Sequence, residues 1–246
     1  MISVVIPTFN AEPTLAASFA ALVSAAVDGL VREVIVVDGG SSDGTLDIAD
    51  ACGADVLKCA AGRGRQLMLG AAHARCPWLL FLHADTVLDH GWDAEARTLI
   101  EETEMGRRAP VAAAFRFAVA DLGWAPRVLE GLVGFRCAAF KAPYGDQGLL
   151  IPRRLYDEVG GFRALPLMED VDLIRRLGRS RVAMLRSLAV TSAARFRRDG
   201  YVVRVLRNKV CVALFLAGAP MAAIQRLYEA APADPPAPLG RSRPAE

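Results

Sequence analysis

Charge of one sign is what this 246-residue chain most lacks: 29 Lys and Arg stand against 27 Asp and Glu, a net of +2. That balance excludes wholesale nucleic-acid binding, which needs a broadly basic surface. Cysteine is sparse. The five, Cys52, Cys59, Cys76, Cys137 and Cys211, are odd in number and show none of the short paired spacings of zinc sites, so reduced thiols are expected. No apolar run is long enough to cross a bilayer. The strongest, residues 210–224 (VCVALFLAGAPMAAI), contains Gly218 and Pro220 and is shorter than the ~20 residues a span requires. It reads as a buried terminal helix, with peripheral membrane contact through 204–224 as the alternative. The opening MISVVIPTFN has a strand pattern without a charged leader or cleavage site, so no secretory signal is expected. A cytoplasmic location follows, with the inner face of the membrane as the peripheral alternative.

Apolar matter is plentiful. At 53% hydrophobic residues and a mean hydropathy of +0.29, a chain of this length can build one core and bury roughly 70–75% of its unfolded surface. Strand patterns at 3–6, 33–38, 55–59 and 78–82 alternate with helical patterns at 14–28, 45–52 and 63–74. This is the βαβ rhythm of a parallel sheet. Runs such as VIVV and LLFL imply strands buried on both faces. After a helix at 91–104 the rhythm changes. Strands at 111–117 and 148–151 bracket a long irregular or helical stretch, 118–144, followed by short helices at 153–159 and 170–177 and a strand at 182–186. The expectation is an α/β fold in one domain, 1–230. A Rossmann-like nucleotide-binding half (1–90) continues into a mixed-sheet acceptor half (91–200) and C-terminal helices (201–230). Residues 231–246 hold five prolines in sixteen positions and read as a disordered tail.

Two apolar strands end in carboxylates, where open α/β sheets place ligand chemistry. EVIVVDGGSSDGT carries Asp38 at its strand exit, followed by Gly39 and Gly40. Asp38 suits either capping of that turn or a hydrogen bond to a nucleobase or ribose, with the glycines letting backbone approach. WLLFLHADT ends in His83-Ala84-Asp85. A carboxylate there can hold a divalent ion that bridges two phosphate oxygens, while His83 is open as ligand, ribose contact or core imidazole. In PTFNAEPTL, Pro7, Thr8, Asn10 and Glu12 follow the first strand, fit for turn and cap formation or for the edge of a base. Arg63, Gly64 and Arg65 open a helix where a diphosphate could meet amides and guanidinium forks; a solvated loop is the alternative. It is not a P-loop, because the Gly-Lys-Ser/Thr ending is missing. Glu169 and Asp170 begin a helical pattern, explained by the helix dipole or, for Asp170, by a base that takes a proton from an alcohol.

In order along the chain, VVIPTFN, VIVVDGGSSDGT, LLFLHADT, GGF and MEDVDL resemble the family 2 glycosyltransferases of the GT-A fold, over about residues 1–188. The resemblance implies a nucleoside-diphosphate sugar as co-substrate, UDP-linked by expectation, and an inverting transfer to an acceptor hydroxyl. It implies Asp38 at the base, Asp85 on a divalent metal (Mn2+ or Mg2+) and Asp170 as general base. The family usually carries Asp-x-Asp where this chain has His83-Ala84-Asp85, which implies a weaker metal site. HADT, GRGRQL and YGDQGLLI look most like a bacterial subgroup labelled as arsenosugar-biosynthesis glycosyltransferases. That likeness implies Arg63, Gly64 and Arg65 near the diphosphate and Gly145, Asp146 and Gln147, with Glu169, toward a small-molecule or lipid-linked acceptor.

Two rivals compete. A sugar-1-phosphate nucleotidyltransferase would carry a Gly-rich, Arg-containing loop straight after its first strand, and PTFNAEPT has none. A non-catalytic nucleotide-sugar-binding or scaffold protein of the same fold is favoured by His83 and opposed by Asp85 and Asp170.

Overall fold

The computed structural model describes residues 1–229; the proline-rich stretch 231–246 lies outside them. The chain forms two compact units, Met1–Ala193 and a second that starts at Ala194. In the first unit β1 (Ile2–Thr8), α1 (Glu12–Ala20), α2 (Val23–Val27), β2 (Val31–Asp38), α3 (Thr45–Ala51), β3 (Asp55–Lys58), α4 (Arg63–His73) and β4 (Trp78–Phe81) follow in turn. Strands β1 to β4 pair in parallel in the order β3-β2-β1-β4. The chain thus builds outward from β1 to one side and then returns to the other, and the switch point falls between β1 and β4. Each of these strands is apolar on both faces. Val4, Ile6, Leu80 and Leu82 point to one core with Leu15, Phe19 and Trp92, while Val5, Val37, Leu79 and Phe81 point to the other with Leu67, Ala71 and Leu173. A Cβ on Gly70 would lie 2.3 Å from Val5 Cγ1, so α4 packs on the sheet at a distance only glycine permits.

The sheet then turns mixed. It continues through β5 (Thr86–Leu88), α5 (Trp92–Glu104), β6 (Ala112–Val119), α6 (Trp124–Phe140), β7 (Leu149–Pro152), α7 (Arg153–Glu158), α8 (Glu169–Leu177) and β8 (Val182–Thr191). The eight strands form one sheet in the order β3-β2-β1-β4-β7-β6-β8-β5. Strand β7 runs antiparallel to β4 with Leu149 opposite Phe81. This register lays the turn before β7, Gly145–Gln147, beside the residues that leave β4. The second unit holds α9 (Ala194–Asp199), α10 (Tyr201–Leu216) and α11 (Met221–Glu229). Buried Asp199 accepts from Arg198, Arg204 and Arg207, and Arg204 also reaches Tyr228.

Several boundaries differ from the sequence expectation. The helix expected over 14–28 is broken into α1 and α2, and the carbonyl of Ala21 between them is taken by the indole N–H of Trp92 at 2.9 Å. Strand β5 was not expected; at three residues it is too short to show a period. The strand expected at 182–186 runs on to Thr191 across an irregularity in its pairing with β6, between Ala114 and Arg116. There Glu95 accepts the amides of Arg186 and Ser187 and the Ser187 hydroxyl, satisfying polar groups that the ladder leaves out. The stretch 118–144 is largely α6.

Candidate active site

The site is assembled from loops at the carboxyl ends of the strands. Asp38 ends β2 with 1% exposure and is consumed by its own surroundings. It accepts the hydroxyls of Thr8 and Ser41 and the amides of Gly40 and Ser41. Burial pushes its carboxyl up, but those hydrogen bonds outweigh it and hold the pKa below the ordinary 3.8. The contacts of the turn-forming reading are thus present on its carboxylate. The β1 and β2 exits are stitched together. Asn10 Oδ1 accepts Ser42 N–H, Asn10 N–H donates to Ser41 Oγ, and Glu12 accepts Gly44 N–H at 2.8 Å. Asn10 sits at φ 49°, a left-handed conformation that asparagine tolerates. Pro7 lies opposite Val37 in the parallel ladder. The carbonyl of Thr8 takes the amide of Gly39, and buried Gln66 donates to the carbonyls of both Thr8 and Val37. A Cβ on Gly39 would meet Gln66 Nε2 at 3.2 Å. Gln66 is a residue the sequence reading missed, though it stands in the GRGRQL segment already singled out.

A second cluster gathers around the β4 exit. Gly145 links it: a Cβ there would lie 2.8 Å from His83 Nε2 and 3.2 Å from Asp170 Oδ2. His83 and Asp170 therefore flank one point, in a cavity also lined by Tyr144, Phe162 and Glu169. Asp170 Oδ2 accepts the Gly145 amide at 2.7 Å and Oδ1 its neighbour Val171's amide at 2.8 Å. Each oxygen keeps further acceptor capacity. Two residues before Asp170, Met168 adopts φ 63°, a strained conformation for a side chain of that kind and a feature that gathers at functional sites.

Glu169 is fully buried and paired with Arg63 at the start of α4. Burial pushes its carboxyl up to about 7 against the pull of Arg63. Arg63 Nη1 also stands 3.4 Å from His83 Nε2. Gly64 is demanded by packing, since a Cβ would lie 2.3 Å from the carbonyl oxygen of Arg163 and 2.5 Å from that of Leu165. Arg65 is on the exposed face of α4. Gln147 is turned into the protein: its side chain donates to Phe115 O and accepts from Arg136 and from Tyr144 N–H. Asp146 is the odd member. Its Oδ1 is sealed from solvent without a hydrogen-bond partner, and burial pushes its pKa up to about 6, with Asp170 and Asp85 adding to the rise.

Asp85, half-buried, takes from Thr86 Oγ1 only a long contact of 3.5 Å, while its backbone carbonyl anchors Ser192 N–H. Ala84 offers its carbonyl to Ser18 Oγ. Among the described residues no group of three His, Cys, Asp or Glu side chains is poised around one point as a metal cage. A divalent ion nevertheless fits Asp85 in the manner of Mg2+ on substrate phosphates, where one or two carboxylates, water and the phosphates complete the shell. The unsatisfied Asp146 oxygen nearby is consistent with a cation in this region.

A sheet of this topology with carboxylates gathered at its switch point defines a mixed α/β glycosyltransferase of the GT-A kind. The family model described as glycosyl transferase family 2 matches residues 3–135, and the chain belongs to that family. Among curated proteins none matches the sequence. Solved structures agree on the fold. Staphylococcus aureus TarS, residues 1–349, is 17% identical, covering 92% of this chain and 69% of its own, with a TM-score of 0.60. The glucosyl-3-phosphoglycerate synthase of Mycobacterium tuberculosis, in complex with Mn2+ and uridine-diphosphate-glucose, is 22% identical over 89% of this chain and 80% of its own, with a TM-score of 0.57. A mycobacterial protein described only as such is also 22% identical, covering 89% of this chain and 75% of its own, at 0.57. None of these findings reaches the narrower arsenosugar subgroup.

Proposed function

We propose that this family 2 enzyme is an inverting, cytoplasmic transferase that moves a sugar from a UDP-linked donor to an acceptor hydroxyl, with Asp170 as general base. The observation that carries the reading is the meeting of Asp170 and the β4 exit at Gly145. The only catalytic groups a single in-line displacement needs are one base and one stabiliser of the leaving diphosphate. Asp170, held by two backbone amides at the start of α8, is fixed where an acceptor hydroxyl in the cavity could hand it a proton. His83 lines the cavity and Arg63 stands 3.4 Å from its ring, so that both provide positive and polar groups toward a diphosphate. The stitched β1 and β2 exits offer backbone to a base. Asp85, together with the donor's phosphates, would hold a Mn2+ or Mg2+ ion, which when bound neutralises charge on the leaving group. The Mycobacterium synthase, bound to Mn2+ and uridine-diphosphate-glucose, supports the choice of nucleotide and ion by analogy.

A small molecule is the simpler acceptor. A lipid-linked one, reached by contact of 204–224 with the inner face of the membrane, is the second reading. Exposed Leu206, Val210 and Leu216 favour it, although Arg204 and Arg207 turn inward to Asp199. No described helix is long and apolar enough to cross a membrane.

Calorimetric titration with UDP, GDP and their sugars, with and without Mn2+, tests the reading directly. Metal-assisted binding of UDP that is lost in Asp85→Ala is the expected result. Absence of binding to every nucleotide would instead favour the non-catalytic scaffold.

A further inference from the structure

The exposed face of α6 has the wrong chemistry for water. A helix on a globular surface keeps an apolar stripe for the core and a polar face for solvent. Helix α6 buries Leu129, Val133 and Cys137, as expected, but its opposite face carries Trp124, Val128, Leu132 and Phe135, which are 77%, 51%, 48% and 67% exposed. These four fall at helical spacing on one side. Leu122 at 94% and Phe140 at 56% exposure extend the patch at either end, and Gly131 and Gly134 between them add no polar group.

The charges beside this stripe are mostly cations, with half-buried Asp121 next to Leu122 as the exception. Arg127 is exposed near Trp124. At the other end Arg179, also exposed, stands 5.9 Å over the Phe140 ring, and Lys141 follows the helix. The helix's one acid, Glu130, is turned inward, where it accepts Val119 N–H and pairs with Arg127. The outer face therefore presents large apolar and aromatic side chains, with Arg127 beside Asp121 and Glu130 at one end and Arg179 and Lys141 at the other.

We infer that α6 docks on an anionic phospholipid surface, lying in the headgroup plane with its Trp and Phe side chains inserted. That combination of aromatic residues and flanking Lys and Arg is the chemistry of interfacial helices, and anionic headgroups supply the negative charge the helix itself does not expose. A second copy of the chain is a poorer occupant. Any two-fold pairing of this stripe with itself would bring its cation-flanked ends together with no exposed acid on α6 to compensate. The placement also has a use. From the end of α6 the chain passes through Lys141–Tyr144 directly to Gly145 in the cavity, and Arg136 of α6 stacks 3.8 Å over the Tyr144 ring. A surface-bound α6 sets the mouth of the site at the membrane, where a lipid-linked acceptor would arrive. This last step rests on the transferase reading, whereas the docking itself does not.

The test is flotation of the full chain with vesicles containing about one-third phosphatidylglycerol in phosphatidylcholine, against phosphatidylcholine alone. Wild type is expected to float with the anionic vesicles and poorly with the neutral ones, and the Trp124→Ser/Phe135→Ser double variant to float at least about tenfold less. Both positions are exposed, and unchanged UDP titration and thermal midpoint in the variant establish that it is folded. Three results overturn the inference: wild type stays with the unbound fraction; the variant floats as well as wild type, which puts the contact elsewhere; or sedimentation shows a dimer that the double variant abolishes while neither protein floats, which assigns the stripe to a second copy. Flotation with no UDP binding would instead keep the docking surface and remove the transferase reading.

Discussion

Asp170 and Glu169 are neighbours in sequence and opposites in circumstance. Glu169 is sealed against Arg63, while Asp170 faces the cavity with each carboxylate oxygen fixed by one backbone amide. If it serves as the base, its removal acts on the chemistry more than on donor binding. Asp170→Asn keeps the size and, with its single carbonyl oxygen, one of the two backbone contacts. It is expected to leave UDP affinity within about twofold and to lower turnover by roughly 100- to 10,000-fold, the range a positioned general base contributes. Product formation under saturating donor, compared with calorimetric affinity, separates the two. Loss of binding with turnover per bound complex unchanged would count against the base assignment. The positions of Asp38, Asp85 and Asp170 were legible in the sequence because each ends a recognisable apolar strand or opens a helix. Their partners were legible only in part. The Arg63–Glu169 pair spans over a hundred residues of sequence, and of the four hydrogen bonds on Asp38 the turn pattern announces those from Gly40 and Ser41 but not that from Thr8 on β1.

At the scale of elements, the parallel half was readable and the mixed half much less so. The buried runs VIVV and LLFL are β2 and β4, since a strand covered on both faces leaves a continuous apolar signature. The break between α1 and α2 was invisible, because the Trp92 indole that takes the Ala21 carbonyl comes from an element seventy residues on. The extension of β8 was hidden for a related reason: Arg186 and Ser187 read as a strand end, yet Glu95 on α5 supplies their partners. Helix α4 shows how an element's approach depends on single atoms. Gly64 lets its first turn touch the 163–165 backbone just before α8 begins, so it sets the position of Arg63 against Glu169. Gly64→Ala places a methyl 2.3 Å from a backbone carbonyl oxygen. The atoms met are backbone, so one segment must shift, and a destabilisation of about 1–3 kcal/mol is expected, as for overpacking elsewhere. Urea unfolding gives the number, and a variant as stable as wild type would mean that α4 and the 163–165 segment are not in contact in solution.

Across the molecule, the buried acids sort into two groups whose titrations oppose each other. Asp38, Glu33 and Glu95 tie separate segments together. In each, burial alone would raise the pKa, but hydrogen bonds from the groups they hold outweigh it and leave the folded value below the ordinary one. Such groups contribute stability that is present above the unfolded pKa and lost as pH falls through the folded one. Glu169 and Asp146, at the cavity, do the reverse. Burial lifts them from 4.5 to about 7 and from 3.8 to about 6. Across those windows the folded chain holds protons that the unfolded chain has released, so stability falls as pH rises. The two raised carboxylates therefore favour the ligand-free fold on the acid side of neutrality. Urea midpoints measured from pH 4 to pH 8 should decline between 4.5 and 7, and Glu169→Gln, which cannot ionise, should remove part of that decline while Asp146→Asn removes another. A wild-type profile that rises toward pH 7 would mean that both carboxylates are ionised and satisfied in the folded chain, and that the cavity is more polar and wetter than its burial implies. The same slope is the cost of gathering acids at the switch point of a sheet. The ties made by Asp38, Glu33 and Glu95 stabilise the scaffold at every pH above about 4, and the cavity draws on that reserve to keep Glu169 and Asp146 out of water beside Asp170.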